Sequence, residues 1–242
     1  MATQDAEHGT ELSPRPAYAA DVRAGTPDGG ATVSRFDARP LVAIACFAGF
    51  AALTWIVASG TVIPFDQPLF DSARGLGQYM EAWRDLSTSA NLPLIAIGVA
   101  IVAILLLKKR WREALLVIGV LAAVTAGSEL VKQLVARPRP PGYDQSLLGV
   151  VYSYPSGHVL EAVTIYGIIA VLLWRSSLPR LVRVVVPVVF TAIIVLVAIA
   201  RVAVGDHYPS DVLAGALAGI GFVALFSWLT DIVAGRRETP AS

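Results

Sequence analysis

Three short stretches of this sequence hold most of the residues that can do chemistry together: Lys132–Pro140 (KQLVARPRP), Tyr154–His158 (YPSGH) and Arg201–Asp211 (RVAVGDHYPSD). Their residue types suit phosphoryl transfer. Lys132, Arg139 and Arg201 can neutralise a phosphate, and the two arginines offer planar, multi-donor recognition of its oxygens. Ser156 is suited to cap a helix whose first N–H groups, near Gly157 and His158, would point at an anion. Gly157 lets the backbone approach that ligand closely. His207 precedes Pro209, a natural first helical residue, and Asp211 falls in the following turn. A carboxylate there can hold one imidazole nitrogen as a donor, which leaves the other with a free lone pair for nucleophilic attack. His158 then serves as the general acid for the leaving oxygen, and the cationic groups stabilise charge on the equatorial oxygens.

Neighbouring groups have simpler readings. Arg137 reads as an interface or auxiliary contact, and Asp206 and Tyr208 read as local structure. Glu129 lies one helical turn before Lys132 and is expected to pair with it. Glu161 lies one turn after His158 and either tunes that histidine or packs in a polar pocket.

Long apolar segments must position these groups. The chain has 242 residues, of which 55% are hydrophobic and 15% charged, with mean hydropathy +0.65. That apolar excess falls in six blocks: Leu41–Ser59, Leu92–Leu107, Ala114–Val135, Val159–Trp174, Val184–Ala203 and Val212–Thr230. With flanking residues, each approaches the ~20 residues that cross a ~30 Å hydrocarbon core. Backbone groups there must bond within their own segment, so the blocks are predicted to be helices. The expected fold is an all-α membrane protein with six transmembrane helices. Short interfacial helices are expected between the first and second, where Phe65, Leu69, Leu76, Tyr79, Met80 and Trp83 alternate with charged residues.

The expected domain organisation is a disordered cytoplasmic tail over 1–38, a six-helix domain over 39–234 that carries the phosphoryl-transfer residues, and a short cytoplasmic tail over 235–242. The first apolar run begins too late and is too long for a signal peptide. Basic residues set the orientation. Arg35, Arg39, Lys108, Lys109, Arg110, Arg112, Arg175, Arg180, Arg183, Arg236 and Arg237 fall on one side, so both termini are expected inside. The three polar stretches then meet at the outer face. Trp55, Trp111, Trp174 and Trp228 read as interfacial anchors. The single cysteine, Cys46, reads as a small packing residue, and no Cys/His cluster has the spacing of a zinc site. A net charge of +1, without a compact basic domain, argues against nucleic acid as a partner.

The pattern K-x6-RP, PSGH and R-x5-H-x3-D resembles that of the type 2 phosphatidic acid phosphatase superfamily, which includes membrane lipid phosphate phosphatases and soluble vanadium haloperoxidases. The resemblance covers residues 132–211, and the helix pattern extends it to about residue 233. It implies that His207 forms a phosphohistidine, Asp211 orients it and His158 is the leaving-group acid. Lys132, Arg139, Ser156, Gly157 and Arg201 would cradle the phosphate, with no metal or other cofactor. The family pattern has Ser before the third-motif arginine; this chain has Ala200, a position peripheral to the chemistry. The apolar runs set this chain apart from the soluble haloperoxidases.

The function expected is hydrolysis of a lipid phosphomonoester or diphosphate of isoprenoid diphosphate, phosphatidylglycerophosphate or phosphatidate type, at a plasma membrane with the site facing outward. Phosphotransfer to a lipid or sugar alcohol shares the first step. A lipid-binding or transport protein would keep the pocket without turnover, a reading that intact His158, His207 and Asp211 disfavour. Nothing in the sequence fixes the headgroup or the oligomeric state.

Overall fold

A computed structural model of the chain describes residues 37–76, 79, 82, 85, 91–141, 152–233 and 235. The expected tail up to residue 36, positions 80, 81, 83 and 84 of the first connection, and residues 236–242 lie outside the described residues. From Asp37 onward the chain forms one unit.

Among the described residues there are seven α-helices: α1 (Arg39–Ala58), α2 (Asp66–Arg74), α3 (Asn91–Leu107), α4 (Trp111–Val135), α5 (Gly157–Trp174), α6 (Arg180–Ala203) and α7 (Pro209–Val233). Each apolar block of the sequence falls in one of six helices. Five of these, α1 and α4 to α7, are long and apolar enough to cross a membrane. The longest, α4 and α7, have 25 residues, or roughly 37 Å at ~1.5 Å per residue. The sixth, α3, is apolar but shorter, at 17 residues. The protein is a multi-pass membrane protein. Its many large apolar side chains exposed along α1, α3 and α6 are what lipid-facing surfaces require.

Helix α7 is the centre of the bundle and touches α1, α4, α5 and α6. Its crossing with α5 is close because glycines line it. A Cβ on Gly215 would stand 2.6 Å from the Ser156 carbonyl oxygen, and one on Gly219 would stand 2.8 Å from Val163. Small residues four apart let two helix backbones approach where side chains would hold them away. At the start of these two helices, Ser156 N–H donates to the Asp211 carbonyl (3.0 Å). At their far ends, Asp231 of α7 pairs with Arg39 (2.5 Å) and with Arg175 (3.0 Å), tying α1 and α5 to α7. A cavity of about 750 Å³ beside these arginines is remote from the three motif stretches.

The connection after α1 forms a helix, α2, as the amphipathic pattern suggests. It packs on α6 and α7. Phe70 is buried with its ring 5.9 Å from that of Tyr208, and Asp66 is buried at the first turn of α7.

Candidate active site

Helix α4 delivers the first group of residues. It ends at Ala136, whose backbone is left-handed (φ 48°) while its N–H bonds the Lys132 carbonyl (2.9 Å). Such a turn costs a non-glycine residue about 1 kcal/mol, and it sends the chain out of the helix into a segment that Pro138 and Pro140 keep from coiling again. Arg137 and Arg139, two positions apart, take different partners. Arg139 Nη1 donates to the Asp206 carbonyl (2.7 Å). Arg137 points the other way, onto Asp211 (2.6 Å), Ser210 (2.7 Å) and Asp66 (2.8 Å), with its guanidinium 4.1 Å above the Tyr208 ring. Burial opposes the Arg137 charge, but Asp211 and Asp66 outweigh it and hold the group more firmly protonated than usual.

Helix α5 delivers the second group. Ser156 stands at its N-cap position with extended backbone, and its carbonyl accepts the Leu160 N–H (3.1 Å). The hydroxyl does not cap the turn, contrary to the expectation for this residue. Instead Ser156 Oγ is buried with no hydrogen-bond partner among the described residues, as is Ser128 Oγ on α4. The second of these hydroxyls lies near Lys132, on the side of Gly157. A Cβ on Gly157 would lie 3.7 Å from both Lys132 Nζ and Ser128 Oγ. Lys132 pairs with Glu129 (2.6 Å), as the i,i+3 spacing suggests.

The end of α6 and the start of α7 supply the rest. Arg201 is buried, and its two terminal nitrogens reach different histidines: Nη1 lies 3.5 Å from His158 Nε2, and Nη2 lies 3.4 Å from His207 Nε2. Nη2 also pairs with Asp206 (3.0 Å). His207 is only 2% exposed. Its Nδ1 lies 2.8 Å from the Ser153 carbonyl oxygen. A carbonyl only accepts, so Nδ1 carries the proton and neutral His207 keeps its lone pair on Nε2, toward Arg201. Asp211 Oδ2 stands farther away, at 3.6 Å from Nδ1. That oxygen accepts the Tyr208 N–H (2.9 Å), the carboxylate half of a capping box ahead of Pro209. Burial pushes His207 below its ordinary pKa; Asp211 works against this, and Arg201 and Arg139 add to it.

The structure therefore gathers His158, His207, Asp211, Arg139, Arg201, Ser156, Gly157 and Lys132 at one end of the bundle. Beside them, α3, α4 and α5 enclose a groove of about 690 Å³ lined by Leu94, Val99, Leu121, Thr125, Ile165 and Glu161. Glu161 follows His158 by one turn on α5, and Thr125 precedes Lys132 by two turns on α4, so the groove runs inward from the polar cluster. Asp66, Ser153 and Ser128 also stand in or against the cluster without being singled out by sequence. Ser153 acts here through its backbone, which no side-chain pattern marks, and Asp66 sits in an amphipathic segment among other acids.

Comparison with known proteins gives the cluster a context. The sequence model of the PAP2 superfamily matches residues 113–234. Undecaprenyl-diphosphatase of Sulfolobus acidocaldarius is 35% identical over 130 residues, which are 51% of this chain and 58% of that protein. Phosphatidylglycerophosphatase B of Bacillus subtilis is 32% identical over 136 residues, 55% of this chain and 64% of that protein. The chain thus spans less than two thirds of the length of these relatives. The crystal structure of a transmembrane PAP2 type phosphatidylglycerolphosphate phosphatase from Bacillus subtilis superposes with TM-score 0.62 at 24% identity, covering 84% of this chain and 98% of that one. That likeness extends the shared fold beyond the region matched in sequence.

Proposed function

The chain belongs to the PAP2 superfamily, and from that premise we propose that it is an integral-membrane phosphatase hydrolysing a lipid phosphomonoester or diphosphate. The observation that carries this reading is the meeting of two imidazole Nε2 atoms on opposite nitrogens of Arg201. A phosphoryl group drawn to that guanidinium has one histidine available for attack and another for the leaving oxygen.

In the proposed cycle His207 Nε2 attacks phosphorus while the bond from phosphorus to the lipid oxygen breaks. His158 gives its proton to that oxygen, and a phosphohistidine remains on His207. Water then attacks phosphorus, His158 takes its proton, the N–P bond breaks and inorganic phosphate leaves. Asp211 and the Ser153 carbonyl hold the ring. Arg139, Arg201 and Lys132, with the N–H groups at Gly157 and the hydroxyl of Ser156, take up the charge of the transferring group. No metal enters this cycle.

The substrate is of isoprenoid diphosphate, phosphatidylglycerophosphate or phosphatidate type. The names of the two relatives support both diphosphates and phosphomonoesters, and the apolar groove beside the site supports a lipid tail lying between α3, α4 and α5. We assign α3 as a sixth span and α2 to the membrane interface, with residues 39–234 as the phosphatase domain. Tails 1–38 and 235–242 are inside, and the site lies on the outer face of the plasma membrane.

The test is phosphate release by purified protein from a panel of these lipids. His207→Ala and His158→Ala should each abolish turnover; undiminished release by both variants would overturn the reading.

A further inference from the structure

The family match begins at residue 113, so α2 and its Asp66 lie outside it. Asp66 nevertheless behaves unlike its neighbours. Asp71, on the same short helix, is exposed and bonds Gln67 (2.9 Å). Asp66 is 5% exposed, and its two oxygens accept three hydrogen bonds. The Ser210 N–H reaches Oδ1 (2.8 Å), and the Ser210 hydroxyl and Arg137 Nη2 reach Oδ2 (2.6 and 2.8 Å). Ser210 is the second residue of α7, and its N–H is one of those a helix leaves without an internal partner. Asp66 thus caps α7 from a helix more than a hundred residues away in sequence.

Arg137 closes the arrangement. One terminal nitrogen meets Asp66, and the other meets Asp211 and the Ser210 hydroxyl. A guanidinium engaged by carboxylates at both ends is a brace. Its carbonyl also fixes the other side of His207. Ser153 N–H bonds the Arg137 carbonyl (3.0 Å), and the Ser153 carbonyl accepts His207 Nδ1. One residue therefore connects to both groups that hold the ring.

We propose that Asp66 and Arg137 are positioning residues of the catalytic centre, which, through Asp211 and Ser153, set the orientation and local field of His207. Helix α2 is then part of the catalytic unit. The activity part of the test rests on the phosphatase reading; the spectroscopic part does not.

The charged and titratable groups facing His207 are Arg201 from α6, Asp206 beside it, Asp211 from α7, His158 from α5, Arg139 and Arg137 from the segment after α4, and Lys132 with its partner Glu129 on α4. Within that set, removing the negative charge of Asp66 makes the surroundings more positive and disfavours imidazolium. Removing the positive charge of Arg137 does the reverse.

The chain has three histidines, His8, His158 and His207, so full-length protein labelled with 15N-histidine gives resonances assignable by His8→Gln and His158→Gln. The titration midpoint of His207 is read in wild type, Asp66→Asn, Arg137→Gln and the double variant. Asp66→Asn should lower it and Arg137→Gln should raise it, each by roughly half a pH unit, and the double variant should return near wild type. In phosphate release, each single variant should lose about tenfold or more in kcat with KM changed less than about threefold. Shifts that are absent or share one sign, or an unchanged kcat, would overturn the proposal. Opposite shifts in a protein that releases no phosphate would leave the brace standing and remove the phosphatase reading. If Asp66→Asn does not fold, Arg137→Lys decides: it keeps the charge but cannot span both carboxylates, and wild-type kcat in it would sink the idea.

Discussion

His207 Nδ1 lies 2.8 Å from the backbone oxygen of Ser153, closer than the 3.6 Å that separates it from Asp211. The tautomer of the proposed nucleophile is thus held by a carbonyl that mutation of side chains leaves in place. Asp211 acts alongside it, as the charge that favours imidazolium and as the partner of Arg137 and the Tyr208 N–H.

The first expected outcome concerns Asp211→Asn. Because Ser153 preserves the donor state of Nδ1, this variant should lose about 10- to 100-fold in kcat. Where a carboxylate alone sets the tautomer, the corresponding loss is on the order of 10⁴. Steady-state phosphate release, compared with His207→Ala, measures it; a loss equal to that of His207→Ala would refute the division of labour.

The second concerns pH. Burial depresses the His207 pKa below its ordinary value of about 6.5, so the neutral nucleophile persists into mildly acid solution and the acid limb it contributes to kcat/KM should lie below pH 6.5. Stability follows the same sign. The unfolded chain binds a proton at this residue as pH falls through about 6.5 while the folded protein does not, so the folded state loses stability on acidification in that range. Thermal unfolding in detergent at pH 7.5 and 5.5 should show a smaller difference for His207→Gln than for wild type.

The third concerns Arg201→Lys. A single ammonium cannot meet both Nε2 atoms, which lie 3.5 and 3.4 Å from different guanidinium nitrogens. We expect a loss of roughly 10²-fold or more in kcat and weaker inhibition by orthovanadate. Retention of wild-type kcat would separate Arg201 from the reaction.

The fourth concerns the α5–α7 crossing. A methyl group at Gly215 would meet backbone atoms, the Ser156 carbonyl at 2.6 Å and the Leu160 nitrogen at 3.2 Å. Gly215→Ala should therefore cost about 1–3 kcal/mol and displace His158 relative to His207, lowering both thermal stability and kcat. Gly119→Ala on α4, where a Cβ meets nothing within 4 Å, should change neither for the worse.

The fifth concerns topology. In a Cys46→Ser background, Lys109→Cys and Gly142→Cys should react with an impermeant thiol reagent from opposite sides of sealed vesicles. Labelling of both from one side would refute the proposed orientation.

The helices were legible because lipid imposes one simple requirement, an apolar run of sufficient length; five of the six blocks give helices that meet it, and α3 is apolar but shorter. The motif residues were legible because their chemistry is unusual at helix ends: two histidines, Lys132, Arg139 and Arg201 in a chain otherwise rich in Val, Ala and Leu. Asp66 was not, because no motif separates it from Asp71; what distinguishes it is its partners Ser210 and Arg137, which are distant in sequence. Arg137 was legible only as an auxiliary contact, because its partners Asp66 and Asp211 come from distant parts of the chain. The hydroxyl of Ser156 was expected on its own helix because that is its commonest partner, whereas in the fold it is buried in the cluster with no partner among the described residues.

The segment from Arg137 to Pro140 has one more consequence. Its two arginines are held by different elements, Arg137 by Asp66 of α2 and Asp211 of α7, and Arg139 by the backbone of Asp206 between α6 and α7. Two anchors two residues apart fix the length of chain between them. Inserting or deleting a single residue between Ala136 and Arg139 would pull one guanidinium off its partners whichever residue was added or lost. Spacing here is therefore as much a part of the site as side-chain identity.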